Sequence, residues 1–444
     1  MSPTESPPEE PLTLDEIREG WSLFDGEERA DAFHQLVRSD AEDFFLDLSS
    51  HDQAELIRHL PPAERRSWLR LLAPDDAADL LQEVPAELRA GMIALLDDVT
   101  QKDVTGLLVF AEDDAGGLMN PRYARLRPEI GVDEAITYLR KLARERLGTI
   151  YYAYVLDADA HLLGAVSLRE LFAAAPGKLV RDVMQTDVVK ADAQLDQEAL
   201  ARLFAQHDLV AIPIVDAENR MKGIVTVDDI VDVVREEATE DIQHIGGTEA
   251  LDEPYLTGRF LRMVRKRAGW LAALFIGELF TATAMQTYDD ELRRAAVLNM
   301  FLPLIISSGG NSGSQATTLV IRAMALGEVR LRDWWRVIRR ELASGFALGA
   351  ILAPIGVIRI LIWQAIGWAD YTQYYGRVAA SVGLSVIGIV MWGTLAGSML
   401  PFILRRMGFD PARASAPFVA TLVDVSGLVI YFTISSIVLA GTLL

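Results

Sequence analysis

The chain has 444 residues, with 63 acidic and 42 basic side chains and a formal net charge of −21, which is long enough for two or three domains. It contains no cysteine, which excludes disulfides, thiolate zinc sites and cysteine nucleophiles. Its histidines end at His244, so any metal held in the C-terminal part must be bound by oxygen, the donor of hard cations such as Mg²⁺, Ca²⁺ or Mn²⁺. Charge divides the chain in two: residues 1–250 carry 51 acidic and 24 basic side chains, residues 251–444 only 12 and 18. The two parts suit different solvents.

Residues 1–12, rich in Pro, Glu and Ser, have neither the basic start nor the apolar stretch of a secretory signal and are expected to be a disordered tail. Residues 13–115 read as an acidic helical domain. Within it a short phrase recurs every twelve residues: Leu48-Ser49-Ser50, Leu60-Pro61-Pro62, Leu72-Ala73-Pro74 and Val84-Pro85-Ala86. Ser or Pro stands where a helix would begin, and amphipathic stretches such as Ala77, Leu80 and Leu81 follow. One short helix per repeat, stacked as a small superhelix, is the expectation.

A second repeat has a different character. The segment Val155-Leu-Asp-Ala-Asp-Ala-His-Leu-Leu-Gly-Ala-Val-Ser-Leu-Arg-Glu-Leu171 matches Ile214-Val-Asp-Ala-Glu-Asn-Arg-Met-Lys-Gly-Ile-Val-Thr-Val-Asp-Asp-Ile230 position by position. Apolar strand, acidic turn, Gly-led strand and helix start recur in order. Residues 116–180 and 181–242 are thus two α/β units, and they resemble a tandem pair of cystathionine-β-synthase-type (CBS) regulatory domains.

Carboxylates concentrate at Asp75, Asp76 and Asp79; at Asp196, Glu198 and Asp208; and at Asp228, Asp229, Asp232, Glu236, Glu237, Glu240 and Asp241. On a helix Asp228, Asp232 and Glu236 share one face. A solvated surface accounts for any one of them. The cluster is harder to dismiss, because two carboxylates about 5 Å apart repel by roughly 3 kcal/mol at an effective dielectric of 20. A divalent cation would relieve that repulsion, and the group is the candidate cytoplasmic sensor.

Residues 243–266 are expected to form a linker helix, and 267–444 a membrane domain of five helices. Five apolar runs, near 268–286, 296–321, 343–368, 378–404 and 415–444, match or exceed the roughly 20 residues that cross a bilayer core. Arginine and lysine gather before the first run (Arg259, Arg262, Arg265, Lys266, Arg267), between the second and third (Arg322, Arg330, Arg332, Arg336, Arg339, Arg340) and between the fourth and fifth (Arg405, Arg406, Arg413). The other two loops are mixed, with Asp289, Asp290, Glu291, Arg293 and Arg294, or nearly neutral. The positive-inside rule places the N-terminal region in the cytoplasm and the C-terminus outside, in a multi-pass protein of the plasma (inner) membrane.

The second run contains Phe301-Leu-Pro-Leu-Ile-Ile-Ser-Ser-Gly-Gly-Asn-Ser-Gly-Ser-Gln315. Its glycines and small polar residues are expected to weaken the helix, and such backbone at membrane depth belongs beside a watery path or a tight crossing. Close packing explains Gly309, Gly310 and Gly313 but not Asn311 and Gln315, which favour a pore. The fifth run holds Asp424 within Ala416-Pro-Phe-Val-Ala-Thr-Leu-Val-Asp-Val-Ser-Gly427. An intramembrane carboxylate costs a few kcal/mol and needs an ion, a partner or water. Ala420 and Ala416 lie one and two turns before it and leave room for a hydrated ion. Glu278 and Arg359 also lie in spans, where a mutual or local polar contact would account for them.

This order of parts, with Gly-Gly-Asn-x-Gly-x-Gln in the second span and Ala-Thr-Leu-x-Asp-Val-x-Gly in the fifth, resembles the MgtE family of magnesium channels from about residue 40 to the C-terminus. The resemblance implies a homodimer in membrane lipid with one central pore, pore residues at Asp424 and Ala420 lined by Gly309, Gly310, Asn311, Gln315 and Glu278, a Mg²⁺ sensor in the acidic clusters, and a plug helix at 243–266. Ser314 stands where many members have Asn, and Ala416 where a polar Asn lies along the pore. Some members bind ATP between the CBS units, through positions matching Tyr152, Arg169, Glu170 and Leu209. Glu170 replaces an Asp there and Leu209 an aromatic, which removes stacking on the adenine.

The functional expectation is a Mg²⁺ channel closed by cytoplasmic Mg²⁺; the alternatives are a proton- or Na⁺-coupled divalent-cation transporter and a membrane receptor that only senses ions. No phosphate-cradling loop, activated nucleophile or thiol is present in the sequence, so neither enzymatic activity nor a nucleic-acid partner is expected.

Overall fold

In a computed structural model, residues 12–144, 150–251, 255, 260–368, 371 and 373–443 are described, the side chains of 290, 292 and 294 excepted. Most of the expected tail, Arg259, the side chains of Asp290 and Arg294, and part of the expected linker therefore lie outside the described residues. The chain divides into two units, Met1–Glu237 and Ala238–Leu444.

The first unit begins with α1 (Leu14–Gly20), α2 (Gly26–His34), α3 (Arg38–Asp47), α4 (Ser50–His59), α5 (Pro62–Leu69), α6 (Pro74–Glu83), α7 (Ala86–Ile93) and α8 (Asp98–Leu107). The last residue of each twelve-residue phrase opens a helix: Ser50, Pro62, Pro74 and Ala86 start α4 to α7. Ser49 caps α4 through its hydroxyl, and proline needs no N–H partner in the first turn of α5 and α6. Their apolar stripes bury Leu56, Ile57, Leu69, Leu80 and Leu81 in one core.

Two three-stranded sheets follow. β1 (Arg125–Leu126), α9 (Val132–Leu142), β2 (Tyr152–Leu156), β3 (Leu162–Ser167) and α10 (Leu168–Ala173) form the first half; β4 (Ala191–Asp192), α11 (Gln197–His207), β5 (Ala211–Val215), β6 (Met221–Thr226) and α12 (Val227–Ile245) form the second. In each sheet the middle strand pairs parallel with the first and antiparallel with the third, with Tyr152 opposite Ser167 and Ala211 opposite Thr226. The acidic turns meet: Leu162 N–H donates to the Asn219 carbonyl at 3.1 Å, and the Asn219 amide donates to the Leu162 carbonyl at 3.1 Å. Tyr154, Leu156, Leu162, Val215, Met221 and Ile224 form a core shared by the two halves.

The second unit contains α13 (Phe260–Thr287), α14 (Asp289–Arg294), α15 (Leu302–Ala325), α16 (Trp334–Ala365), α17 (Tyr375–Arg406) and α18 (Ala416–Leu439). α17 packs against α15, α16 and α18, and α13 lies on α18. Among the described residues, four helical segments are long and apolar enough to cross a membrane: Phe260–Thr287, Leu331–Ala365, Tyr375–Arg406 and Ala416–Leu439. The expected second span, α15, has the length with 24 residues, but its Ser, Asn, Gln and Gly content keeps it out of that apolar class.

Two expectations change. α15 is one unbroken helix rather than a weakened one, because its small residues are packed against neighbouring helices. Among the described residues, 243–266 is not one continuous helix: α12 ends at Ile245, Gly247 takes φ +75°, residues 248–251 are irregular, and α13 runs from Phe260.

Candidate ion-binding sites

Gly309 and Gly313 of α15 are spent on a helix crossing. A Cβ on Gly393 of α17 would lie 2.5 Å from the Gly309 carbonyl, and one on Gly397 would run into the Gly313 carbonyl. Backbone meets backbone, as small residues allow in a membrane interior. Thr317 Oγ1 donates across the crossing to the Gly397 carbonyl at 2.8 Å. Gly309 faces Ile389 and Val423; close packing, not an ion path, occupies it.

One turn face further round, α15 meets α18. Ser314 Oγ donates to the Ala416 carbonyl at 3.1 Å, and a Cβ on Gly310 would lie 3.3 Å from Ala420 Cβ and 3.4 Å from Asp424 Oδ1. Gly310, Ala420 and Asp424 therefore stand together, and the missing side chain at 310 leaves the carboxylate uncovered. Asn311 and Gln315 are exposed beside this seam, with Asn311 Nδ2 donating to Ser307 Oγ at 3.3 Å. The result is a polar edge on a helix otherwise bound into the bundle.

Glu278 of α13 is exposed and its charge reaches Asp424; α13 approaches α18 closely here, a Cβ on Gly277 falling 2.8 Å from Thr421 Cγ2. Arg359 stacks over Trp363 at 4.1 Å, so the Glu278–Arg359 contact that would have accounted for both is not formed.

In the first unit, α6 brings Asp75, Asp76 and Asp79 up to the start of α12. Asp75 is 7% exposed and accepts from Asn120 Nδ2 at 3.1 Å. Burial, then the charges of Asp76 and Asp229, push its carboxyl up to about 8. Asp79 is held well above the carboxylate range by burial and by Asp75, Asp76, Glu112 and Asp229. Asp229 rises to about 6 through burial, against hydrogen bonds from the Thr226 hydroxyl and N–H that pull it down, with Asp228 and Asp76 adding to the rise. Asp76 is raised by desolvation and by Asp228. Carboxylates that resist losing their protons together want a cation, and oxygen-only donors suit Mg²⁺.

The remaining sensor candidates are dispersed. Asp196 accepts from the N–H groups of Glu198 and Ala199 as the cap of α11. Glu198 pairs with Arg202 at 2.6 Å, and Asp208 ends α11 in a left-handed conformation. Asp232 lies 3.7 Å from Arg235 on an exposed face that also carries Asp228 and Glu236. Glu237 accepts from Gln197 at 2.6 Å, Glu240 lies 3.6 Å from His244, and Asp241 is half-buried.

Three family models match the chain: the MgtE intracellular N domain over residues 12–113, the CBS domain over 180–236, and the MgtE divalent cation transporter over 302–434. The magnesium transporter MgtE of Thermus thermophilus is 38% identical over 422 residues, 94% of this chain and 91% of that one. This chain belongs to the MgtE family. The magnesium transporter MgtE of Bacillus subtilis is 32% identical over 408 residues, 92% of this chain and 88% of the relative. Among solved structures, the cytosolic domain of the Mg²⁺ channel MgtE in complex with ATP is 39% identical, with a TM-score of 0.46, covering 50% of this chain and 90% of that chain.

In this MgtE-family chain Tyr152, Arg169, Glu170 and Leu209, the positions matched to a nucleotide, are held as follows. Glu170 Oε2 accepts from the Ser167 N–H and hydroxyl, at 2.8 and 2.9 Å, and Oε1 accepts from Gln185 at 2.6 Å. Its carboxylate is committed to capping α10. Tyr152 is half-buried in β2, Arg169 is exposed, and Leu209 offers an aliphatic side chain where a ring would stack. Two members of the acidic cluster escaped the sequence reading: Glu112, whose charge bears on Asp79, and Asn120, the amide that holds Asp75. Their segment runs along the second half of the CBS pair, with Ala115 N–H donating to the Leu195 carbonyl at 2.7 Å and Asn120 N–H to the Ile224 carbonyl at 2.7 Å. Nothing in residues 112–120 marks them beyond proximity in sequence to the first sheet.

Proposed function

We infer that this protein moves Mg²⁺ across the plasma membrane and closes when cytoplasmic Mg²⁺ is plentiful. The observation that carries the first half is Asp424, set on α18 against the bare Gly310 and the small Ala420, in a family of divalent-cation transporters. Mg²⁺ sheds water reluctantly and favours oxygen ligands, so a carboxylate in a roomy polar seam suits the hydrated ion. α15 serves as the fifth span. In a homodimer two copies of Asp424 would face one another across the axis, attracting cations and excluding anions. The exposed polar edge of α15, Asn311 and Gln315, is supported as part of that lining by its place beside Asp424. The basic loops support an N-terminal region in the cytoplasm and a C-terminus outside.

The second half rests on the acidic cluster. Asp75, Asp76, Asp79, Asp228 and Asp229 would hold Mg²⁺ and keep α6 docked at the start of α12. When Mg²⁺ falls, their repulsion favours separation, a population shift driven by differential ion affinity. The exposed carboxylates of α12, with Val231 and Val234 at 54% and 51% exposure, support a subunit contact on the same face. Nucleotide binding is not part of this reading.

Flux from full-length protein in liposomes tests both halves. Native protein should conduct Mg²⁺ and shut as internal Mg²⁺ rises, while Asp424→Ala should not conduct. Glu278, close enough to feel Asp424, supports a second reading in which a proton or Na⁺ gradient drives transport. Flux that needs such a gradient, rather than voltage and Mg²⁺ alone, would select it.

A further inference from the structure

α13 and α18 run side by side in the same direction. The Trp270 ring lies 6.2 Å from that of Phe418, a Cβ on Gly277 would meet Thr421 Cγ2 at 2.8 Å, and Tyr288 stacks on Phe432 at 4.6 Å. Gly277 and Tyr288 are 11 positions apart, as are Thr421 and Phe432, so the register holds from one contact to the next. In that register Thr281, one turn beyond Gly277, stands opposite Val425, the neighbour of Asp424. Asp424 itself follows Thr421 by three positions and so shares its side of α18.

Thr281 is the exception on its helix. α13 is described over its whole length, and Thr281, 6% exposed, is its one buried residue. The helix it is buried against is α18. Its hydroxyl oxygen is buried with no hydrogen-bond partner. A hydroxyl within a membrane helix ordinarily donates to the carbonyl one turn back. Thr283 and Thr287 of α13 do so at 3.1 and 3.2 Å, and Thr421 and Ser426 of α18 at 3.1 and 2.7 Å. A buried polar group left unpaired in this way calls for a water or an ion to complete it. At the same level Gly310 and Ala420 leave the Asp424 carboxylate uncovered on the side of α15.

We propose that Thr281 is a further binding residue of the ion path, its hydroxyl oxygen accepting a hydrogen bond from a water in the shell of the hydrated cation held at Asp424. Mg²⁺ gives up its waters reluctantly, and water polarised by the metal is a strong donor. A neutral acceptor beside the carboxylate therefore orients the shell without tightening the hold on the metal. Gly310 supplies room, Asp424 supplies charge, and Thr281 supplies orientation from the side of α13. This inference rests on the reading of Asp424 as part of the ion path.

The test measures Mg²⁺ flux by full-length protein in liposomes over a series of Mg²⁺ concentrations, for native protein, Thr281→Val, Thr281→Ser and Asp424→Ala, with melting of each in detergent. Valine keeps the branched shape and removes the hydroxyl, whereas serine keeps the hydroxyl. Thr281→Val should raise the half-saturating Mg²⁺ concentration by about fivefold, the worth of one hydrogen bond. It should melt at or above native protein, because the hydroxyl it removes is buried without a partner in the protein. Thr281→Ser should keep the native half-saturating concentration. A native value in Thr281→Val overturns the assignment, and so does an equal rise in the valine and serine variants, which would mark lost packing. Melting of Thr281→Val well below native protein also overturns it, since the hydroxyl would then be held within the protein. Native flux by Asp424→Ala overturns the reading of the path, and Thr281's part falls with it; lost flux there beside an unaltered Thr281→Val removes Thr281 alone.

Discussion

The two units use carboxylates in opposite ways. In the first, at least five are pressed together between α6 and α12, so that Asp75 is driven to about 8 and Asp229 to about 6. In the second, one carboxylate, Asp424, stands in a seam of glycine and alanine with Glu278 at its margin. Crowding makes a site whose occupancy decides whether two surfaces stay together, which is what a sensor needs. Isolation makes a site that attracts a cation without trapping it, which is what a pathway needs. On the proposed function the same side chain would serve both tasks, because number and surroundings, not chemistry, set how tightly an ion is held.

The comparison breaks most sharply at Asp424. Asp424→Ala should lower Mg²⁺ flux by about a hundredfold or more, near 3 kcal/mol in barrier, with the cytoplasmic response to Mg²⁺ intact by proteolysis of the α6–α12 region. Flux close to native would place the path elsewhere. The seam depends on the crossing behind it, so Gly397→Ala, whose methyl would press on the Gly313 carbonyl, should cost about 1–3 kcal/mol. Thermal unfolding in detergent would show it, with Gly376→Ala, which meets nothing within 4 Å, as the harmless counterpart.

The crowded site has its own signature in pH. The native values of Asp75 and Asp229, about 8 and 6, stand above their ordinary 3.8, so between those limits the folded state binds more protons than the unfolded one. Stability from these groups in metal-free protein is therefore full below about pH 4 and is lost as pH rises through 6 and then 8. Melting of the metal-free protein across that range should show the decline, and Mg²⁺ should reverse it at the upper end. Asp79→Asn should raise metal-free stability by ~1 kcal/mol, one screened carboxylate repulsion, and weaken the Mg²⁺ effect; a variant melting like native protein with and without Mg²⁺ would remove Asp79 from the site. The smallest change is expected at Glu278→Gln, a reduction in flux of about two- to threefold, or ~0.5 kcal/mol, and a gradient-dependent loss would instead favour coupled transport.

Local pattern made much of this legible. The twelve-residue phrase marks helix starts because serine and proline act within one turn of the residue that carries them. The repeated strand–turn–strand segment marks two sheets because alternation and turn chemistry are short-range. Asp424 stands out because a carboxylate in an apolar run has few bland explanations. The acidic residues were legible as a crowd but not as a site: Asp196 is a helix cap and Asp232 faces solvent near Arg235, while Asp75 and Asp229, 154 positions apart, act on one another.

By itself, then, the sequence determined the domain order, the helical and α/β classes of its parts, the apolar C-terminal region and the residue types that any ion must meet, since each follows from composition or from neighbours along the chain. Only the tertiary structure decided that Gly309 and Gly313 of α15 pack against α17, that Gly310 opens onto Asp424, that Asn120 and Glu112 join the acidic cluster, that Glu170 caps α10, and that α12 ends in a wedged turn at Gly247. Those outcomes depend on which surfaces meet, and contact between residues far apart in the chain is set by packing rather than by any local pattern.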